Sequence, residues 1–223
     1  MKAIILAAGL GKRMLPLTAR LPKPLLTVGP HTLIEHNLFS LKKAGITSVI
    51  INLHHCADQI ISLLGDGEAY GLNIQYSHEK TQLMGTGGGI IQALPLLDSS
   101  PFLLVAADIW SDIALNTLTI PTHSDAHLIM VNNPSFHPKG DYSLHANNLI
   151  GAPSDRTLTF ASIALLRPKL FYSAPLKPCA LSDLLRPAIT QQRVTGELYQ
   201  GEWWNVGTQQ ILHALTDHIS TCS

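Results

Sequence analysis

The stretch "KAIILAAGLGKRM" (residues 2–14) places a nearly continuous apolar run, rich in Ile, directly before Gly9, Gly11, Lys12 and Arg13. An apolar run without alternation suits a strand covered on both faces, as in a parallel sheet. Two glycines behind such a strand let the chain turn tightly and leave backbone N–H groups open to an anion. From the residues alone, two readings stand: a phosphate-binding loop carrying its own cations, or a plain βα turn with solvated Lys12 and Arg13. A P-loop is excluded, because Leu6 stands where its first glycine belongs and Arg13 follows Gly11-Lys12. A dinucleotide fingerprint is excluded by Met14 in place of the third glycine and by Pro16 just after it. A dehydrogenase reading goes with it.

The remaining chain repeats the strand signal. "SVIINL" (48–53), "NIQYS" (73–77), "FLLVAAD" (102–108), "AHLIMVN" (126–132) and "LTFASIALL" (158–166) read as strands. Between and after them, helices are expected at 32–45, 58–64, 89–97, 181–192 and 207–219. In the first of these, Thr32 and Glu35 have the spacing of a capping box, and Gly45 is placed to close the helix. Alternating strands and helices with short connections imply an α/β fold with a doubly wound sheet. Residues 134–157, rich in Pro, Gly, Asn and Asp, are expected to form a loop or small lobe over the sheet of one domain spanning 1–223. Ligands of such sheets bind beyond the carboxyl ends of the strands, which directs attention to residues 8–13 and to Asp108.

Composition narrows the class. The 223 residues carry 15 basic and 15 acidic side chains, so no broad basic field invites a nucleic acid, and 46% hydrophobic residues argue against disorder. Cys56, Cys179 and Cys222 are scattered and odd in number, which fits reduced thiols in a cytoplasmic protein. No apolar run approaches a membrane span, and the 11 histidines include neither a zinc-protease motif nor any adjacent pair besides His54-His55.

"LAAGLGKRMLPLT" followed by "PKPL" resembles the signature of the sugar-phosphate nucleotidyltransferases, in which nine residues separate the Arg from the Lys, as they separate Arg13 from Lys23. The stretches "INLHHCADQI" (51–60) and "TGGGI" (86–90) extend the likeness. One branch, the N-acetylmuramate 1-phosphate uridylyltransferases, is similar in "NPSFHPKGDYSL" (133–144), "LTFASIALL" and "VTGELYQGEWWNVGT" (194–208). Mannose-1-phosphate guanylyltransferases and glucose-1-phosphate thymidylyltransferases share the general motifs. The left-handed β-helix that many bifunctional relatives append is not expected after the closing helix.

The resemblance implies a Rossmann-like, mostly parallel mixed sheet of the GT-A-like kind. It also implies joining of a nucleoside triphosphate and a sugar 1-phosphate, with Mg²⁺, in a monomer or small homo-oligomer that meets neither nucleic acid nor membrane. It assigns catalysis to Arg13, Lys23 and Asp108. Nucleotide contacts fall to Ala8, Gly9, Gly11, Lys12, Arg13, Lys23, Thr86, Gly87 and Gly88, the last three in a nucleobase-contacting loop. Sugar contacts fall to Gly140, Asp141, Ser162 and Glu197, and the metal to Asp108 and Asn205.

Three departures cluster at the sugar and metal side. Asn205 stands where the family has a second carboxylate, Ala106 and Ala107 replace Asn and Gly before Asp108, and Ser162 replaces a Gly. They leave open a binding protein that has lost turnover. Asp112 is expected to begin a helix, Glu202 to face away from residue 205, and Trp203 and Trp204 either to form a sugar platform or to cover the sheet.

Overall fold

A computed structural model describes every residue except Asp155 and Ser223, and the backbone alone of Cys222. The reading of Cys222 as a reduced thiol therefore lies outside the described residues. Seven strands form the central sheet: β1 (Ala3–Leu6), β2 (Ser48–Leu53), β3 (Asn73–His78), β4 (Phe102–Ala106), β5 (Ala126–Val131), β6 (Thr159–Leu166) and β7 (Val194–Leu198). Their spatial order is β7-β5-β6-β4-β1-β2-β3. All neighbours run parallel except around β6, which is antiparallel to both β4 and β5. The expected mixed, mostly parallel sheet is the fold observed.

The apolar runs lie in the sheet because each strand is covered on both faces. Ile5, Val49, Ile51, Leu103, Val105 and Ile129 belong to one core layer, and Ile4, Ile50, Leu104, Leu128 and Met130 to the other. Helix α1 (Leu33–Lys43) adds Ile34, Leu38 and Leu41 to the first layer. Its capping box is present: the Thr32 hydroxyl accepts from the Glu35 N–H, and Glu35 accepts from the Thr32 N–H at 2.7 Å. Gly45, at φ 76°, ends it. Helix α2 (Ala57–Leu64) packs Ile60 and Leu64 into the same layer.

Helix α3 (Gly85–Ala93) begins four residues earlier than the spacing of apolar residues predicts, so Thr86–Gly89 lie in its first turns and not in a loop. Glycine weakens a helix, but here each one lets another chain segment approach. A Cβ on Gly87 or Gly88 would stand 2.8 or 2.7 Å from the carbonyl oxygen of Ala180 or Lys177. The Gly87 N–H donates to the Cys179 carbonyl at 3.0 Å, and the Cys179 N–H donates to Met84 at 3.0 Å. That clamp holds the start of α4 (Leu181–Thr190) against α3, where the Thr86 hydroxyl accepts from the Leu181 N–H at 2.8 Å.

The last helix, α5 (Gln209–Cys222), packs Leu212 and Leu215 with Met14, Val28 and Leu33 in a third, smaller core. Asp112 does not begin an α-helix. A short 3₁₀ turn, Leu115–Thr117, comes instead, and Asp112 accepts from the Tyr199 hydroxyl and from the Glu202 N–H, which pins the 199–202 turn. Residues 134–157 include a hairpin, Ser143–Leu144 with Ile150–Gly151, bridged to the sheet at Leu149 and Thr195. No helix among the described residues is long and apolar enough to cross a membrane.

Candidate functional site

A cleft of about 630 Å³ opens beyond the carboxyl ends of β1 and β4. Its lining includes Ala8, Gly9, Arg13, Lys23, Gly85 and Thr86, together with Phe136, His137, Asp141, Tyr142, Phe160 and Ser162. Asp108 and Asn205 line it as well.

The loop after β1 is built as a tight turn. Gly11 sits at φ 60°, a left-handed conformation suited to glycine, and Thr18 covers it, its hydroxyl donating to the Gly11 carbonyl at 2.8 Å. Lys12–Met14 then form a single 3₁₀ turn that buries Met14 and swings Arg13 into the cleft. The Arg13 guanidinium lies above Gly207, 3.5 Å from where a Cβ on that glycine would stand. Gly9 has open space beside it, so a ligand can approach its backbone. Lys12 and Gly11 do not line the cleft.

Lys23 begins a second 3₁₀ turn, between Pro22 and Pro24. Its ammonium pairs with Asp108 Oδ2 at 2.5 Å, the two side chains being 11% and 30% exposed. Asp108 follows β4, and the short strand after it, Ile109–Ser111, pairs antiparallel with Trp203–Asn205. Asn205 thus stands opposite Ile109, and the Val206 N–H donates to the Asp108 carbonyl at 2.9 Å. The ladder brings Asp108, from the middle of the chain, beside Asn205, from near its end.

Asn205 Oδ1 is buried and accepts no hydrogen bond. A buried acceptor without a partner costs free energy, and a divalent cation that takes oxygen ligands would satisfy it. Asp108 adds the carboxylate. These two residues therefore fit a divalent cation that takes oxygen ligands, although among the described residues no group of three or more His, Cys, Asp or Glu could hold a metal.

Residues not found from the sequence shape the floor and rim. Asn52, at the end of β2, lines the cleft and donates to the buried Glu79 carboxylate at 2.8 Å, whose other oxygen accepts from the Met84 N–H at 2.6 Å. Asp141, a candidate from the sequence, accepts from the Phe160 N–H at 2.8 Å and pairs with His137 at 3.1 Å. Burial, reinforced by Asp141, raises the pKa of the cleft-lining Tyr142. Burial, with Asp183 adding to it and Lys177 opposing it, raises the Cys179 thiol, so that group is no ready nucleophile.

The remaining sequence candidates divide. Thr86 reaches the cleft, but Gly87 and Gly88 do not; they serve the packing of α3 on residues 177–180. Gly140, at φ 60°, turns the chain so that Asp141 faces the cleft, and a Cβ there would stand 2.6 Å from Asn133 Oδ1. Glu197 lies outside the cleft on edge strand β7, its side chain half exposed and 3.4 Å from His127. Trp203 donates to the Ala161 carbonyl at 3.0 Å and packs on the sheet's first core layer, whereas Trp204 packs by His218 on the small core of α5; neither lines the cleft. Glu202 faces away from Asn205 and pairs with His218 at 2.7 Å.

Ser162 lines the cleft at φ 59°, inside the irregularity that shifts the β6–β5 register between Phe160 and Ala164. A left-handed serine carries strain that glycine would not. Ser162→Gly is expected to stabilise the fold by about 0.5 kcal/mol, the relief of strain exceeding the entropy cost of glycine. A urea midpoint that falls instead would show that the serine side chain contributes more than its backbone conformation costs.

The "Nucleotidyl transferase" family model matches residues 2–135. The chain is 44% identical over 216 residues to an N-acetylmuramate alpha-1-phosphate uridylyltransferase of Neisseria meningitidis serogroup B, covering 93% of this chain and 94% of that one. A protein of the same name from Caulobacter vibrioides is 33% identical over 223 residues, covering 93% and 92%. A Bacillus anthracis structure assigned as a glucose-1-phosphate thymidylyltransferase superposes with a TM-score of 0.84 at 20% identity, covering 98% of this chain and 94% of that one, which shows the same fold. The glycine turn and the two cations lie within the residues that the family model matches, and the chain belongs to the nucleotidyl transferase family.

Proposed function

We propose that the protein joins UTP and N-acetylmuramate 1-phosphate to give UDP-N-acetylmuramate and pyrophosphate, in the cytoplasm, as a step of peptidoglycan recycling. The carrying observation is the placement of Arg13, Lys23, Asp108 and Asn205 around one cleft, in a chain 44% identical to an enzyme of that name.

A sugar-phosphate oxygen attacks the α-phosphorus, a new P–O bond forms, the bond to the β-phosphate bridging oxygen breaks, and pyrophosphate leaves. The nucleophile is already an anion, so no general base is needed. The obstacle is repulsion between two polyanions, and the protein's task is positioning and charge neutralisation. Gly9 admits the triphosphate to the backbone. Arg13, a planar fork with several donors, holds the β- and γ-phosphates and the departing pyrophosphate. Lys23, a compact charge on a turn between two prolines, lies between the α-phosphate and the incoming sugar phosphate. Asp108 and Asn205 would hold Mg²⁺, which when bound supplies positive charge to the phosphate oxygens. Gly85 and Thr86 border the base, and Asp141 and Ser162 border the sugar.

Asn205 does not make this a binding protein, on this reading: its unpartnered oxygen remains a ligand. The test is pyrophosphate release with Mg²⁺ from UTP, dTTP, GTP and CTP, each against N-acetylmuramate, N-acetylglucosamine, glucose and mannose 1-phosphates. Highest kcat/KM is expected for UTP with the muramate ester. Preference for another pair would replace the substrates and keep the mechanism. Silence in every combination, with UTP still retained by the protein, would establish the binding protein.

A further inference from the structure

Lys23 and Asn205 leave the cleft with little net charge for a cation before nucleotide arrives. The Asp108 carboxylate is already matched by the Lys23 ammonium at 2.5 Å, in a pair that is mostly shielded from water. Its neighbour, Asn205, offers a neutral amide oxygen that is buried and unpartnered. Among the described residues no third acidic or imidazole ligand stands near enough to complete a metal-holding group. A hard divalent cation is held mainly by charge and gives up its water reluctantly. Here it would meet one carboxylate whose charge is spent and one amide dipole.

A triphosphate changes both terms. Its oxygens compete for the Lys23 ammonium, which frees Asp108, and they add negative charge and oxygen ligands of their own. We infer that Lys23 and Asn205 make cation binding conditional on nucleotide: Lys23 closes Asp108 in the free protein, and the triphosphate exchanges it open. By linkage, the factor by which nucleotide raises cation affinity is the factor by which cation raises nucleotide affinity. The Lys23–Asp108 pair of the free protein is therefore the first state of an exchange, and the lysine becomes available to phosphate as the carboxylate becomes available to metal. This rests on the nucleotide-binding reading above and adds an order of assembly to it.

Manganese chloride, titrated calorimetrically into the nucleotide-free protein, should give no saturable heat below the millimolar range. Asn205→Asp adds a second charge at the site and should bind Mn²⁺ about tenfold or more tightly than the unaltered protein. Lys23→Met unlocks Asp108 by the other route and should also tighten Mn²⁺ by about tenfold, so the test survives a failure of either variant to fold. In equilibrium dialysis, labelled UTP should be retained more strongly with Mn²⁺ than with EDTA. Micromolar Mn²⁺ binding to the unaltered, nucleotide-free protein would overturn the inference, as would two folded variants that bind Mn²⁺ no better. If UTP is not retained under any condition, the nucleotide reading itself fails, while the manganese titrations still report on Lys23 and Asn205.

Discussion

Lys23→Met is expected to lower kcat by about 10²- to 10³-fold, the range for removing a donor aimed at charge developing in a transition state. Methionine preserves the length and most of the volume of the stem, so the substitution removes charge and little packing. Lys23 is held at low entropic cost: Pro22 and Pro24 flank it, the Leu25 N–H donates to the Pro22 carbonyl at 2.9 Å, and the side chain is 11% exposed. Among the described residues, no other lysine or arginine lines the cleft except Arg13, whose guanidinium lies beside Gly207. The stability change should be small by comparison, within about 1 kcal/mol, because Asp108 keeps 30% exposure and water can take the place of the ammonium. Steady-state kinetics with a parallel urea melt separate the two effects. A variant with kcat within threefold of the parent would remove Lys23 from the mechanism. A variant whose melt collapses would show that the ion pair is mainly structural.

How far such a site could be read from the chain depends on the range of the contacts. Local patterns were legible. The apolar runs at 3–6, 48–53 and 102–106 are strands, and Thr32 with Glu35 closes a capping box, because both signals are complete within a few residues. The turn that carries Gly9, Gly11 and Arg13 was legible for the same reason. The glycines at 87 and 88 were not: as a local signal they argue for a loop, and the reason they are helical is a segment about ninety residues away that needs their missing Cβ atoms. Tertiary packing outweighs intrinsic propensity in such a helix.

Polar side chains posed the same difficulty. Glu197 and Asp112 carry the residue type of a site or a cap, but Glu197 lies on β7 beside His127, and Asp112, just past the strand Ile109–Ser111, binds the 199–202 turn. A carboxylate gives no indication of its partner in the sequence. Asn205 is the informative opposite case. Its type already allowed a ligand, a carbonyl oxygen without the charge of a carboxylate, and its surroundings, a buried oxygen with nothing to accept from, suit one.

Glu79→Ala should destabilise the fold by about 3 kcal/mol and raise the KM for nucleotide by about tenfold. Glu79 is 1% exposed and lies just beyond β3, where its two oxygens accept from the Asn52 amide at 2.8 Å and from the Met84 N–H at 2.6 Å. Gly89 makes room for it, since a Cβ there would stand 2.6 Å from Glu79 Oε1. The carboxylate therefore ties the cleft floor, Asn52, to the residue that precedes α3 and sets the position of Gly85 and Thr86. Alanine leaves two donors unsatisfied in a dry site, and leaves a void beside them. Glu79→Gln supplies the control. Its amide oxygen can accept from Met84, and its NH₂ can donate to Asn52 after that side chain turns over, so the loss should be nearer about 1 kcal/mol. If the carboxylate serves only the general fold, Ala and Gln will lower the urea midpoint without moving KM. If it holds the nucleotide end of the cleft, KM will follow stability, large for Ala and small for Gln, while kcat at saturation stays within a few-fold because Lys23 and Asp108 stand on other segments, the Lys23–Leu25 turn and the residues just after β4.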